Sequence, residues 1–315
     1  MEATAKAVDD VSIYVSKGET LGLVGESGSG KSTLGMAVMG LIQPPGRVTS
    51  GRIFFEGKEL RELKSDQLVA LRGKRIAMIF QDPMTSLNPV KKIGDHFIEY
   101  IRTHEPGVSD GDARSRTKSI LEDLGIPASR IDDYPHQFSG GMRQRVMIGL
   151  ALTLNPSLII ADEPTTALDV IVEAQILSLM RDLKTKYSLS LILITHNMGI
   201  VAEMADRVAV MYAGRMAEIA PTMSIFENAK HPYTQALLES IPNIRVEDKV
   251  LKTIPGSPPD LTEVPSGCPF HPRCPFAFEK CRREVPKLIS TGENSDASCF
   301  LLEDATPRHL LKSRV

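Results

Sequence analysis

Apolar residues along the chain fall into two kinds of run. Thr20-Leu21-Gly22-Leu23-Val24, Leu158-Ile159-Ile160-Ala161-Asp162-Glu163 and Ser190-Leu191-Ile192-Leu193-Ile194-Thr195-His196 are continuous. Continuity without alternation predicts strands covered on both faces, as in a parallel sheet. Val8 to Val15 alternates instead, with Val11, Ile13 and Val15 set against Ser12 and Tyr14, and this period of two predicts a half-buried strand. Lys17-Gly18-Glu19 reads as a turn feeding Thr20–Val24. Gly51–Gly57 and Arg75–Phe80 read as further strands, and Gln81-Asp82-Pro83 with Asn88-Pro89 makes the following stretch a loop. Val208–Tyr212 and Arg215–Ile219 flank Ala213-Gly214 as a hairpin.

Between these runs the character is helical. Thr33 to Met39 has helix-compatible composition, and from about Val90 to Leu154 helical segments dominate. Ser109 is placed to cap a helix carrying Ala113, Ile120, Leu121 and Leu124, with Gly125 ending it. Val146 to Leu154 continues as a helix until Asn155-Pro156 stops it. Past Pro242 the composition shifts. Pro255, Pro258, Pro259, Pro265, Pro269, Pro272 and Pro275 crowd one stretch, which excludes long regular helices and central strands there. The reading is an α/β domain over 1–244, with a helical subdomain at about 90–155, followed by a small loop-rich module over 245–315.

Composition changes this picture at two points. A formal net charge of −2 across 315 residues offers no general basic surface for nucleic acid. No run approaches the roughly 18 apolar residues of a membrane span, and Met1 to Lys17 lacks an apolar signal core, which predicts a cytosolic protein. Any membrane role then comes through a partner. The four cysteines, Cys268, Cys274, Cys281 and Cys299, all lie in the C-terminal module. In a reducing compartment such clustering points to a metal or iron–sulfur site before it points to disulfides. Their intervening lengths of five, six and seventeen residues exceed the two-to-four spacing usual within zinc half-sites. Four thiolates suit zinc or an iron–sulfur cluster, and four unliganded buried cysteines are the bland alternative.

The chemistry centres on Gly25-Glu26-Ser27-Gly28-Ser29-Gly30-Lys31-Ser32, which matches G-x-x-x-x-G-K-[ST] at every fixed position between a strand and a helix. The glycines let successive N–H groups point inward, and the helix start adds its positive end. Lys31 is placed to neutralise β- and γ-phosphates, and the Ser32 hydroxyl to ligate Mg²⁺. Ser139-Gly140-Gly141 before a helix forms a second anion-binding N-terminus. Asp162 and Glu163 fall at the carboxyl end of their strand, where ligands collect in parallel sheets.

Phosphate loop, Gln81, Ser139-Gly140-Gly141, Asp162-Glu163, Asp169 and His196 stand in an order that resembles ATP-binding cassette (ABC) ATPases over residues 8–235. Gln81–Pro89, Tyr134–Arg145 and the proline/cysteine tail resemble, more narrowly, the ATPase subunits of oligopeptide, dipeptide and nickel importers. The resemblance implies a P-loop NTPase (RecA-like) nucleotide-binding domain with an inserted helical subdomain. It implies that Asp162 holds Mg²⁺ through water, with Ser32 and Gln81 also at the metal, and that Glu163 is the general base that aligns attacking water. His196 is then the switch histidine at the γ-phosphate, and Gln81 couples to the membrane subunits. Gly25, Glu26, Ser27, Gly28, Ser29, Gly30, Lys31, Ser32 and Thr33, with Ser139, Gly140, Gly141 and Asp169, are the implied nucleotide contacts. The signature closes over ATP held by an opposite subunit, so the implied partners are a second, non-identical ABC ATPase, two transmembrane permeases and, indirectly, an extracytoplasmic solute-binding protein. The implied location is peripheral, on the cytoplasmic face of the membrane. For the cysteines the resemblance tilts the choice to a [4Fe–4S] cluster, with zinc as the alternative.

Two features stand apart from the family pattern. Met142 occupies a position where many members carry glutamine, although the importer subgroup commonly shows methionine. Only seven residues precede Val8, too few for the family's extra strand and its adenine-stacking aromatic, and Tyr14 does not match that position. The expectation is a late-assigned start or a truncation. Competing readings are a soluble ABC ATPase acting on nucleic acid or ribosomes, which the single cassette and absent basic face oppose, and a redox- or metal-sensing regulator centred on the cysteine tail.

Overall fold

The computed structural model describes residues 4–81, 86–241 and 253–303. Among them the strands are β1 (Thr20–Val24), β2 (Phe54–Phe55), β3 (Lys58–Glu59), β4 (Ile76–Ile79), β5 (Leu158–Asp162), β6 (Ser190–Thr195), β7 (Arg207–Tyr212), β8 (Arg215–Pro221), β9 (Ile289–Gly292) and β10 (Ser295–Ala297). The chain forms two compact units: Met1–Tyr14, Thr20–Leu34 and Ile194–Val315 make one, and Val15–Glu19 with Gly35–Leu193 makes the other.

In the first unit β1 runs parallel to β7, Leu21 opposite Arg207 and Val24 opposite Val210. The β7–β8 hairpin turns at Ala213-Gly214, as the flanking runs predict. β8 then pairs antiparallel with β10, and β10 with β9. Every residue of β1 is buried. Val24, Val201, Val208, Val210, Ile225 and Tyr233 form one apolar cluster with Phe270, so C-terminal residues share the core of this unit. Burying each such side chain is worth about 1.5–3 kcal/mol relative to exposure. β9, β10 and the short helix Glu279–Arg283 add regular structure to a module whose prolines led us to expect loops.

In the second unit β4 runs parallel to β5, Ile76 opposite Leu158 and Ile79 opposite Ala161, and β6 lies next to β5. Both β5 and β6 are buried throughout, as continuous apolar runs require. Helices Ile93–His104 and Asp110–Asp123 pack together, and Gly140–Leu152 packs on both and on β4. Ser109 accepts the Asp112 N–H as its capping role predicts, and Leu124 and Gly125 end that helix.

Two expectations change. Val8–Val15 is not a strand: its side chains alternate between half-buried and exposed positions, but no backbone ladder forms there. A period of two in burial needs only an extended chain lying on the protein, not a partner strand. The strand expected over 51–57 shortens to β2, closed on β3 by Glu56-Gly57. The loop expected after Gln81 falls largely on Asp82, Pro83, Met84 and Thr85, which lie outside the described residues.

Candidate functional site

The phosphate-loop sequence leaves the end of β1 and enters the helix Lys31–Val38. Two of its glycines are required by contact as well as by backbone angle. At Gly25 (φ +151°) a Cβ would lie 2.2 Å from the Met211 carbonyl oxygen, and at Gly30 (φ +99°) 2.0 Å from that of Ala7. The loop is therefore wedged between backbone segments, and only hydrogen fits. The Gly214 N–H donates to the Ser29 carbonyl at 3.0 Å and holds the loop to the β7–β8 turn.

Lys31 curls back into this loop. Its Nζ donates to the carbonyls of Gly25 at 2.7 Å and Glu26 at 2.9 Å, and to the Ser29 Oγ at 3.3 Å. An ammonium that is 4% exposed, ringed by loop oxygens at the mouth of a helix N-terminus, is a cation held where an anion docks. Ser27 and Gly28 are exposed at the tip, and Ser32 and Thr33 are half-buried in the first helical turn.

Glu26 has partners that the motif does not foresee. Its N–H donates to the Tyr233 hydroxyl at 2.8 Å, and its carboxylate accepts from Arg273 Nη1 at 2.6 Å and Nη2 at 3.0 Å. Burial pushes the Tyr233 phenol well above its ordinary range, and the Glu26 hydrogen bonds raise the Arg273 guanidinium further. No local signal in the sequence links residues this far apart. His196 directly follows β6 and is exposed; with the phosphate loop it falls in the first unit.

The remaining nucleotide-site candidates lie in the second unit, and the four cysteines in the first. Asp162 closes β5 and is 5% exposed. Glu163 follows in the left-handed region (φ +47°), and its carboxylate accepts from the Thr166 hydroxyl at 2.6 Å. A non-glycine residue held at positive φ is a common mark of functional turns. Ser139 caps the helix Gly140–Leu152 by accepting the Met142 N–H at 3.3 Å, so the two glycines open the helix itself rather than preceding it. Asp169 caps the helix Val170–Tyr187, accepting from the N–H groups of Ile171 and Val172 at 3.1 and 3.0 Å. A Cβ on Gly141 would lie 2.5 Å from Val172 Cγ1, so the Ser139-Gly140-Gly141 segment packs against the helix that Asp169 starts. Gln81 is exposed at the end of β4, and Asp82, Pro83, Met84 and Thr85 lie outside the described residues.

The four cysteines do converge. Cys268, Cys274, Cys281 and Cys299 line one cavity of about 20 Å³ with Phe270 and Phe300, and no disulfide joins them. Burial pushes the Cys268 thiol up to about 11 and the Cys299 thiol to about 12, so both carry their protons at neutral pH. The donor chemistry suits a four-thiolate site. The geometry does not yet form one: among the described residues no group of three or more His, Cys, Asp or Glu side chains is set to hold a metal ion. A cavity of about 20 Å³ holds roughly one water-sized sphere, far less than a four-iron cube. The sequence expectation of a [4Fe–4S] or zinc site is therefore unsupported by the geometry of the described residues.

The Arg207 guanidinium sits 4.1 Å from the centroid of the Tyr14 ring and covers one of its faces.

Comparison with known proteins gives consistent matches. Residues 8–166 match the ABC transporter family, and residues 217–281 match the oligopeptide/dipeptide transporter C-terminal region. The dipeptide transport ATP-binding protein DppD of Escherichia coli (strain K12) is 46% identical over 306 residues, covering 96% of this chain and 93% of that one. DppD of Haemophilus influenzae is 50% identical over 289 residues (91% and 87% covered). The oligopeptide transport ATP-binding protein OppD of Bacillus subtilis is 47% identical over 307 residues (96% and 86% covered). Among solved structures, the ATP-binding cassette MJ0796, a dimer in a post-hydrolysis state bound to ADP and Pi, aligns with a TM-score of 0.61 at 27% identity. It covers 69% of this chain and 90% of that one. CbiO1 of Clostridium perfringens, part of the ABC transporter complex cbiONQ, aligns with a TM-score of 0.61 at 27% identity (70% and 84% covered).

Proposed function

The chain belongs to the ABC transporter ATPase family, and from that premise we propose that it hydrolyses ATP to energise peptide import through partner membrane permeases. The observation that carries this is the buried Lys31 ammonium, which donates to oxygens of the glycine-rich loop. The match over 217–281 to a peptide-transporter C-terminal region favours transport over a soluble ATPase or a regulator.

The proposed division of labour follows residue by residue. Gly25 to Thr33 cradle the triphosphate through backbone N–H groups and Lys31. Mg²⁺ offsets the phosphate charge; the Ser32 hydroxyl, Gln81 and, through water, Asp162 are the residues to hold it. Glu163 accepts the proton of the attacking water, since in-line hydrolysis requires a proton acceptor behind the γ-phosphate. His196 contacts the γ-phosphate. Ser139, Gly140, Gly141 and Asp169 serve the nucleotide of an opposing cassette, which supports a two-cassette assembly, a heterodimer in our reading, on two permeases fed by a solute-binding protein. Residues 1–244 then act as the cassette, with the helical part at about 90–155, and 245–315 as the importer-specific module, on the cytoplasmic face of the membrane. The reading of Cys268, Cys274, Cys281 and Cys299 as ligands of a [4Fe–4S] cluster, or else of zinc, rests on the donor set and requires the cavity lining to open.

Glu163→Gln tests the catalytic assignment. In the assembled transporter it should keep ATP binding and lower turnover by about 10²–10⁴, the usual worth of a positioned base. Unchanged turnover removes Glu163 from that role.

A further inference from the structure

Glu26, the second residue of the phosphate loop, is gripped through each of its polar parts. Its N–H donates to Tyr233 at 2.8 Å, its carbonyl accepts from Lys31 Nζ at 2.9 Å, and its carboxylate takes both arms of the Arg273 guanidinium. Arg273 is built for this contact. Its side chain is 5% exposed, its Nε donates to the Pro255 carbonyl at 2.8 Å, and Nη1 also reaches the Tyr212 hydroxyl at 3.3 Å. Behind it, the rings of Tyr212, Tyr233 and Phe270 pack at inclined angles with centroids 4.6–5.3 Å apart. The turn that presents Arg273 is the stretch between Cys268 and Cys274, fixed by the Arg273 N–H on the Phe270 carbonyl at 3.0 Å. A two-pronged guanidinium–carboxylate pair with so little water around the cation is geometrically specific in a way a surface pair is not.

We propose that Arg273 is a positioning residue for ATP, acting through Glu26. The inference rests on the reading of Gly25–Ser32 as the triphosphate loop. A loop that must receive a polyanion carries a carboxylate one residue from its start, on the same peptide whose carbonyl holds Lys31. Left uncompensated, that carboxylate repels the phosphates and competes for the Lys31 ammonium. Arg273 turns it away and neutralises it. The importer-specific C-terminal segment thereby becomes part of the ATP site's support, and any rearrangement of the Cys268–Cys274 turn reaches the phosphate loop through Arg273.

The test is ATP affinity measured by calorimetry on the full chain, with melting temperature recorded for each variant. Arg273→Met keeps the apolar stem and removes the charge. It should weaken ATP binding roughly tenfold, less than truncation at a fully buried pair gives because Glu26 retains some solvent. Glu26→Gln alters a residue of the loop itself and serves only as the reference background. The double variant Glu26→Gln/Arg273→Met should bind within about threefold of Glu26→Gln, since the unpaired carboxylate is gone. Arg273→Lys, which keeps the charge without the fork, should fall between wild type and Arg273→Met. A purely structural role for Arg273 gives the opposite pattern, with the double variant at least as weak as Arg273→Met. That result, or wild-type affinity in Arg273→Met, overturns the proposal. If Arg273→Met does not fold, Arg273→Lys with and without Glu26→Gln decides in the same way. Lys31→Ala binding ATP as tightly as wild type overturns the reading of the loop itself, whatever the Arg273 variants do.

Discussion

Replacing Gly30 by alanine separates contact from backbone strain in the phosphate loop, because Gly28 offers a matched control two residues away. Both glycines sit at positive φ, +99° and +78°. Left-handed backbone costs an L-residue about 1–2 kcal/mol, and that cost applies to both variants. The surroundings differ. A Cβ at Gly28 meets nothing within 4 Å, whereas at Gly30 it falls 2.0 Å from the Ala7 carbonyl oxygen, a backbone atom with no rotamer in which to retreat. Overpacking of that kind adds about 1–3 kcal/mol. With the unfolded chain's reduced freedom offsetting part of the strain, the total for Gly30→Ala is about 2–4 kcal/mol, a large share of the roughly 5–15 kcal/mol that a folded domain typically has. Gly28→Ala should cost about 1 kcal/mol after the unfolded chain's reduced freedom offsets part of the strain. The assay is urea unfolding of the nucleotide-free chain followed by far-ultraviolet circular dichroism, since the sequence has no tryptophan. With a slope of about 3 kcal/mol per molar, the midpoint should fall by roughly 0.7–1.3 M for Gly30→Ala and by about 0.3 M for Gly28→Ala. Equal midpoints for the two variants refute the claim that the loop is wedged against Ala7.

Stability should also fall with acid in a window set by His231. Burial holds its folded imidazole down at about 4 against an ordinary 6.5. The unfolded state therefore binds more protons between those values, and as pH drops through them up to about 3 kcal/mol is lost, less what buried Glu218 returns by taking up a proton more readily when folded. His231→Asn, which keeps an acceptor for the Tyr233 N–H, should flatten that slope; an unchanged slope assigns the acid loss to other groups. Protein prepared anaerobically should be brown with about four iron atoms per chain if the cysteine cavity opens to the proposed cluster. Colourless protein carrying one zinc and no iron decides for the alternative metal.

The parts of the site legible in the sequence are those whose chemistry is local. Gly25–Ser32 could be read because strand, loop and helix are contiguous and each residue type is demanded by backbone angle or phosphate charge. β5 and β6 could be read because burial on both faces leaves no polar position to break the run. Val8–Val15 misled because alternation reports burial and not pairing. Asp169 was expected to be functional from motif order; the structure places its carboxylate as the cap of the helix Val170–Tyr187, a helix that the pattern did not delimit. Clustering of the cysteines in sequence correctly implied convergence in space, while the size of the cavity they line depends on packing of Phe270 and Phe300 that spacing does not encode. The Arg273–Glu26 pair joins residues 247 positions apart, beyond the reach of any periodicity.

The most direct test of the central claim is uptake of a labelled dipeptide or oligopeptide into proteoliposomes. The chain is assembled there with its permeases and partner ATPase, and ATP is supplied on the side that this subunit faces. The account predicts peptide accumulation that requires ATP, is lost with Lys31→Ala and falls with Glu163→Gln in step with hydrolysis. Accumulation that proceeds undiminished with Glu163→Gln, or hydrolysis by the intact assembly with no peptide movement, contradicts it.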